Sequence, residues 1–411
     1  MSHTRRQFLR STGLAAAALT TSPLTASRQA AASGPAAWQD ETAASLIAGK
    51  DERLIVLKKF PAVLETPLSL LSENMITPDA LLFVRNNQQP DVAATLQPMA
   101  VDDWSVQLTG LLNRSLTVTL QQLRAMEMTE YEMVLQCSGN GRSLFSKAAQ
   151  TSGTQWGKGG MGNTRFRGVR LSTVLEKNGI EPDKLVRWVH ASGVDDPLPE
   201  KEDFLHSLPF SEVINRSILA VDMNGRPIPA IHGGPVRLIT PGVYATMHVK
   251  WLSELSFLAE ESTNYNHVPR YRVPSQPIAP GEAYEFLLEN SRFNWNMKTK
   301  SVLLSPAEGP ARAGQTTIRG VAFNDGATRI TSVYVSLNQG ESWQQARLTP
   351  SDSLYGWTQF ELDAELKPGQ QHIWSRAIDA FGRTQPLNGS LAWNPRGYEW
   401  NGIDQVVLDV T

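Results

Sequence analysis

Apolar and polar positions along the chain change rhythm near residue 300. Before that point, short apolar runs are interleaved with helical spacings. Residues 81–85 read as a buried strand closed by the polar run 86–90. Residues 104–112 alternate as a half-buried strand does. Residues 120–126 have helical spacing, with Thr119 as the cap and Gln122 completing a capping box. The stretch 131–137 predicts a strand that runs straight into Ser138-Gly139-Asn140-Gly141-Arg142. Residues 171–178 predict a short amphipathic helix stopped by Gly179, and strands are expected at 185–191, 219–223, 236–240 and 249–257. An entry arm, 33–75, precedes them, with a turn or two of helix at 43–48. The sum is a mixed α+β domain over 76–290.

After 300, short β runs recur with turn residues between them: 316–323, 330–337, 343–348, 357–362, 372–379 and 405–410. Asn338-Gln339-Gly340-Glu341 predicts a hairpin turn between two of them. This spacing reads as an immunoglobulin-like β-sandwich over 291–411. Four prolines between 268 and 280 mark a connecting segment.

Composition narrows the function. The 411 residues carry 38 Lys plus Arg against 40 Asp plus Glu, so a general nucleic-acid binder with a basic stripe is not expected. No run of about 18 apolar residues signals a membrane-spanning helix. The single cysteine, Cys137, excludes an intramolecular disulfide, a cysteine-based zinc cluster and a covalently attached c-type haem. Residues 1–32 hold Arg5, Arg6, Arg10 and Arg28 and no acid, then a short apolar run and small residues, as cleavable export signals do. Thr4-Arg5-Arg6-Gln7-Phe8-Leu9-Arg10 resembles a twin-arginine signal, against the alternative of an arginine pair in an ordinary secretory leader. The periplasm is the expected compartment.

Candidate chemistry begins with a decoy. Gly157-Lys158-Gly159-Gly160-Met161-Gly162 fits the dinucleotide fingerprint as a string, but no buried strand precedes it and no helix pattern follows. No phosphate-binding Walker loop or Gly-x-Ser-x-Gly elbow occurs. Cys137 ends an apolar strand beside two glycines and Arg142, which leaves three readings open: a buried inert hydrophobe, a nucleophile, or a soft metal ligand. Arg85, His232, Arg237, His248 and Lys250 lie beside apolar strands and together suggest an anionic ligand.

At this point several strings resemble the sulfite oxidase family of molybdenum enzymes: Phe83-Val84-Arg85-Asn86, Gln136-Cys137-Ser138-Gly139-Asn140-Gly141-Arg142, Val221-Asp222-Met223-Asn224-Gly225-Arg226, His232-Gly233-Gly234-Pro235-Val236-Arg237, Val249-Lys250-Trp251-Leu252, and, in the tail, Arg376-Ala377-Ile378-Asp379 and Trp393-Asn394-Pro395-Arg396-Gly397. The resemblance spans about 75–411 and points to a haem-free exported bacterial sulfite dehydrogenase. It implies a molybdopterin-binding domain with the sulfite oxidase fold, then an immunoglobulin-like dimerisation domain. It implies Cys137 as the thiolate on molybdenum. Phe83, Val84, Arg85, Asn86, Asn87, Asp195, His232, Arg237, His248, Val249 and Lys250 fall where the family holds its molybdopterin. Arg85, Arg142 and Arg396 fall at the cationic substrate pocket, with Trp156 lining it and Tyr271 as the active-site tyrosine. Sulfite is the implied substrate, a separate c-type cytochrome the implied electron acceptor, and a homodimer the implied assembly. Asn87 stands where animal relatives carry a histidine, and Ser152 where they carry a lysine. Arg396 favours sulfite over nitrate, since nitrate-reducing relatives carry Met there. A related class acting on protein-bound sulfane sulfur is the runner-up. Two readings from other classes are an exported binding module with a merely buried Cys137, and a cysteine hydrolase pairing Cys137 with His232.

Overall fold

The computed structural model describes residues 47, 49–88, 101, 103–195 and 202–411. The expected leader, all but one residue of the helical turns at 43–48, and the end of the polar run at 86–90 lie outside the described residues.

Among the described residues, one three-stranded and two five-stranded sheets build most of the first domain. Ile55–Lys58, Val63–Glu65 and Val84–Arg85 form an antiparallel set of three. A five-stranded sheet runs Arg226–Pro227, Ile218–Met223, Met161–Arg170, Thr129–Gln136, with Arg237–Ile239 also paired to Ile218–Met223. The other five-stranded sheet runs Leu116–Thr119, Ser105–Gly110, Leu252–Leu258, Trp188–Gly193, Leu205–Pro209. Its one parallel pair joins Ser105–Gly110 to Leu252–Leu258. Ile218–Met223 is buried along its whole length, as an apolar strand between two layers must be. Leu171–Lys177 buries Leu171, Val174 and Leu175, a helical spacing that seats one face on the core. The capping box forms as expected on Leu120–Ala125: the Gln122 amide donates to Thr119 Oγ1 at 3.2 Å and the Thr119 amide to Gln122 Oε1 at 2.8 Å.

The structure corrects several expectations. Only Val84–Arg85 of 81–85 pairs as a strand, because Leu81 and Leu82 turn back onto Pro78. The strand expected at 249–257 starts at Leu252, leaving His248 to Lys250 irregular. Residues 343–348 split into Gln344–Gln345 and Arg347–Thr349. Met161–Arg170, a ten-residue strand, was hidden by buried polar residues. Two of them find acceptors in the core: Asn163 Nδ2 donates to Glu132 Oε1 and Thr164 Oγ1 to Asn224 Oδ1, while Asn163 Oδ1 has no partner among the described residues. The proline-rich 268–280 is more than a connection, since Arg272–Pro274 pairs with Ser291–Phe293 and carries Tyr271 on its edge.

The tail is a sandwich of two sheets: Lys300–Ser305, Gly314–Phe323, Thr358–Leu366, Arg347–Thr349 against Gly309–Ala311, Asp404–Val410, Gly369–Asp379, Ile330–Ser336, Gln344–Gln345. Ile318, Val333, Val335, Phe360, Ile373 and Leu408 fill the space between them. The expected hairpin turn forms with Gln339 at φ 56° and Gly340 at φ 89°, both left-handed as a mirror-type turn requires. Between the last two long strands, 393–400 leaves the sandwich and folds onto the first domain. Trp393 Nε1 donates to the Ala149 carbonyl at 3.0 Å, the Ser152 amide to Pro395 at 2.8 Å, and the Glu399 amide to Ser138 at 2.9 Å.

Candidate active site

Thr129–Gln136 delivers Cys137 into a tight loop. The Cys137 amide donates to the Gly160 carbonyl at 2.9 Å, and the Asn140 amide donates back to Cys137 at 3.0 Å. Gly141 stands at φ 90°, and a Cβ there would lie 2.6 Å from the Trp400 ring, so only glycine lets the tail loop close over this turn. The glycine string at 157–162 is spent on scaffolding. Glu65 accepts from the Gly157 and Gly159 amides at 2.9 and 2.8 Å, Asn140 accepts from Gly160 at 2.9 Å, and a Cβ on Gly159 would fall 1.8 Å from the Thr66 carbonyl. Those amides are not available to a phosphate.

Cys137 borders a cavity of about 550 Å³. Phe83, Arg85, Asn86, Asn87, Arg142, Trp156, Asp195, His232, Arg237, His248, Lys250, Tyr271 and Arg396 line it with Cys137. Two of the residues singled out from sequence do not. Val84 is buried among Leu54, Ala62, Leu64 and Ile231, and Val249 sits in the main core, so their side chains turn away from the cavity. Sequence reasoning missed Lys58, Phe204, Arg270 and Tyr398, which line it too. Arg270 and Tyr398 each lie within two residues of a candidate, and that proximity was the available signal. Lys58 and Phe204 arrive through tertiary packing alone.

The lining is strongly cationic. Seven Lys or Arg side chains face one carboxylate, Asp195. Arg237 is 3% exposed and donates to the His248 and His232 carbonyls at 3.2 and 2.9 Å. Burial pushes its pKa down to about 9. Lys250 Nζ donates to Asn86 Oδ1 at 2.6 Å and the Ile231 carbonyl at 2.7 Å, and burial, with Arg237, Arg85 and Lys50 nearby, holds it well below its usual range. Lys50 Nζ lies 3.1 Å from His232 Nε2, and burial lowers its pKa to about 7. The buried His232 and His248 are held neutral by burial and adjacent cations, His248 down to about 3. Among the described residues, no carboxylate forms a salt bridge with Arg85, Arg142, Arg237, Lys250, Arg270 or Arg396. Cations desolvated by burial, such as Arg237 and Lys250, with no salt-bridged carboxylate among the described residues, are unfavourable until an anion joins them.

Arg85, Arg142, Tyr271 and Arg396 make a second set of contacts along the lining. Arg85 Nη2 reaches Asn87 Oδ1 at 3.4 Å and the Tyr271 hydroxyl at 3.5 Å. Asn87 donates to Asn266 Oδ1 at 2.9 Å. Arg142 donates to the Arg396 and Thr154 carbonyls at 2.8 and 2.7 Å. The Arg396 guanidinium lies 5.3 Å over the Phe286 ring. Trp156 is fully buried and meets Phe83 edge-on at 5.9 Å, a rigid wall. Burial raises the Cys137 thiol pKa, while Arg85 and Arg142 pull it down.

These residues fit a particular kind of guest. Trp156 Nε1, His248 Nδ1 and Gln88 Oε1 are buried without a hydrogen-bond partner among the described residues, and a polar heterocycle would supply one. No three His, Cys, Asp or Glu side chains converge on a metal site among the described residues, so a metal at Cys137 would arrive with most of its ligands attached. The site therefore has the charge and the unpaired donors and acceptors to hold an anionic, polar organic group beside Cys137.

Comparison with known proteins agrees. Residues 93–266 match the family described as oxidoreductase molybdopterin binding domain, and 291–410 match the Mo-co oxidoreductase dimerisation domain. The mitochondrial sulfite oxidase of Macaca fascicularis is 31% identical over 354 residues, covering 83% of this chain and 63% of that protein. The sulfite oxidase of Arabidopsis thaliana is 28% identical over 366 residues, covering 84% of this chain and 91% of that protein. The crystal structure of the sulfane dehydrogenase SoxCD from Paracoccus pantotrophus superposes with a TM-score of 0.71 at 26% identity, over 94% of this chain and 93% of that one. The chain belongs to the sulfite oxidase family of molybdenum enzymes. It spans 62–64% of the length of the macaque, fly and human sulfite oxidases.

Proposed function

We propose that this protein oxidises sulfite to sulfate at a molybdopterin-bound molybdenum ligated by Cys137. The observation that carries the reading is the cavity itself: buried, carboxylate-poor and lined by seven cations, with the chain's one thiol at its edge. Molybdenum bound there would accept two electrons and exchange an oxygen atom with the substrate. His232, Arg237, His248 and Lys250 would hold the anionic end of the pterin, where Arg237 and Lys250 form no salt bridge to a carboxylate among the described residues. Arg85, Arg142 and Arg396 would bind the sulfite dianion, because guanidinium groups present forked, permanently charged donors to an oxyanion. The Tyr271 hydroxyl, 3.5 Å from Arg85, would donate to a bound sulfite oxygen. Trp156, buried in the lining, would exclude water beside them. Oxidation of sulfite with water releases two protons and two electrons, and the electrons pass to an external acceptor, a c-type cytochrome by analogy. The leader at 1–32 supports export by the twin-arginine route to the periplasm, and the tail sandwich supports a homodimer.

The second reading is a sulfane dehydrogenase, favoured by the end-to-end superposition on SoxCD. Steady-state assays separate the two. Ferricyanide reduction by sulfite, with little turnover of a thiol-bound persulfide, is expected. The opposite preference would move the assignment to sulfane sulfur.

A further inference from the structure

Tyr398 was not among the sequence candidates, yet it sits between two of them. Its ring stacks on Tyr271 with centroids 5.5 Å apart and planes 19° from parallel. The Arg142 guanidinium carbon lies 5.0 Å over the same ring. Asn394 pins the Tyr398 backbone on both sides, accepting from its amide at 3.1 Å and donating to its carbonyl at 2.9 Å. The residue is 5% exposed and lines the cavity.

Arg142 is unusually confined. A Cβ at Gly139, Gly153 or Gly397 would lie 2.6, 3.0 or 2.5 Å from its side chain. Nε and Nη1 are committed to the Arg396 and Thr154 carbonyls, and Nη2 donates to none of the described residues. No carboxylate balances the guanidinium among the described residues. The face of Tyr398 supplies the negative surface instead.

We infer that Tyr398 is a positioning residue that sets oxyanion affinity, holding Arg142 and Tyr271 in one geometry from a loop of the sandwich domain. The inference rests on the reading that this part of the lining binds an oxyanion. Arg142 reaches the ligand correctly oriented because three glycines and one aromatic ring leave its side chain little other room. Tyr271 gains a flat support from the Tyr398 ring, beside its edge contacts to Phe204 and His206 at 6.0 and 5.3 Å.

The test uses the loaded enzyme and a ligand that needs no turnover. Calorimetric titration with inorganic sulfate gives a Kd, and steady-state sulfite oxidation gives KM and kcat separately. Tyr398→Leu should raise the sulfate Kd and the sulfite KM by about tenfold, between the sizes of an exposed and a desolvated cation–π contact, with a smaller change in kcat. Tyr398→Phe keeps the ring and should stay within about twofold of the parent. Progressively fluorinated phenylalanine at 398 keeps the size while draining charge from the ring face. The sulfate Kd should then climb with each fluorine, which decides the matter even if the leucine variant fails to fold. Unchanged sulfate affinity in Tyr398→Leu, a flat fluorine series, or a parent enzyme that does not bind sulfate would each overturn the inference. A parent that binds sulfate and obeys the series without oxidising sulfite would instead retain this inference and overturn the proposed substrate.

Discussion

Replacing Arg237 with methionine should separate stability from cofactor retention. In the folded chain Arg237 is buried, bonded only to the His232 and His248 carbonyls, with a pKa lowered from 12.5 to about 9 by burial. At about 1.4 kcal/mol per pH unit, carrying that charge in the cofactor-free chain is unfavourable by roughly 5 kcal/mol. Arg237→Met removes this term and fills much of the same space. It also leaves two buried carbonyls short of a donor, at about 1–3 kcal/mol each. The two effects nearly cancel, so the cofactor-free variant should unfold in urea within about 2 kcal/mol of the parent. Cofactor retention has no such compensation. A lost charge-assisted bond to an anionic group is worth about 1.5–3 kcal/mol, or roughly 10- to 150-fold in affinity. The assay pairs urea denaturation of protein made in a molybdopterin-deficient host with pterin content of protein made in a normal one. A variant that is several kcal/mol less stable without cofactor, yet retains parental pterin content, would refute the argument that this cation waits for an anion.

Cys137→Ser should keep the fold and much of the pterin while abolishing sulfite oxidation; near-parental turnover would remove the thiolate from the ligand set. Lys300, buried with no partner for its Nζ among the described residues, has a pKa lowered to about 8 by burial. Its charge is fully unfavourable below pH 8, and that burden fades as pH rises through 8 toward 10.5, where both folded and unfolded forms become neutral. Lys300→Met should therefore stabilise the protein by about 1–3 kcal/mol at pH 7 in chemical denaturation, and the gain should shrink above pH 8. His206 is fully buried, has no partner for either nitrogen among the described residues, and is held well below its usual pKa of 6.5 by burial, with His267 and Arg270 adding to the effect. Its stabilising contribution is complete above pH 6.5 and is lost as pH falls below that value, because the unfolded chain takes the proton first. His206→Phe should flatten the decline in urea midpoint between pH 6.5 and 5; an equally steep decline would assign the acid sensitivity elsewhere.

Local signals carried much of the fold into the sequence. The capping box at Thr119 and Gln122, the helix at Leu171–Lys177 and the hairpin turn at Gln339-Gly340 depend on neighbours a few residues apart, and each is visible as a string. Met161–Arg170 was not, because its buried Asn163 and Thr164 look like loop residues until Glu132 and Asn224 arrive to accept from their side-chain donors. The site divides in the same way. Cys137 and the cations around His232 stood out because a thiol and clustered charges beside apolar strands are unusual. That Arg142 and Arg396 share one pocket follows only from the folding of 393–400 across the domain boundary, 254 positions along the chain. Tyr398 carries no charge at neutral pH, and only its place two residues after Arg396 marked it in the string. Val84 and Val249 show the reverse: adjacency to true lining residues placed them near the cavity, and the local backbone, a strand at Val84 and an irregular segment at Val249, turned their side chains into the core.

The central claim, that buried cations and one thiol enclose a molybdenum-bearing pterin, meets its most direct test in the composition of the purified protein. Protein produced in a molybdenum-replete host should contain one molybdenum and one molybdopterin per chain, with the metal falling sharply and pterin largely persisting in Cys137→Ser. Folded protein from the same host that carries neither would contradict the account.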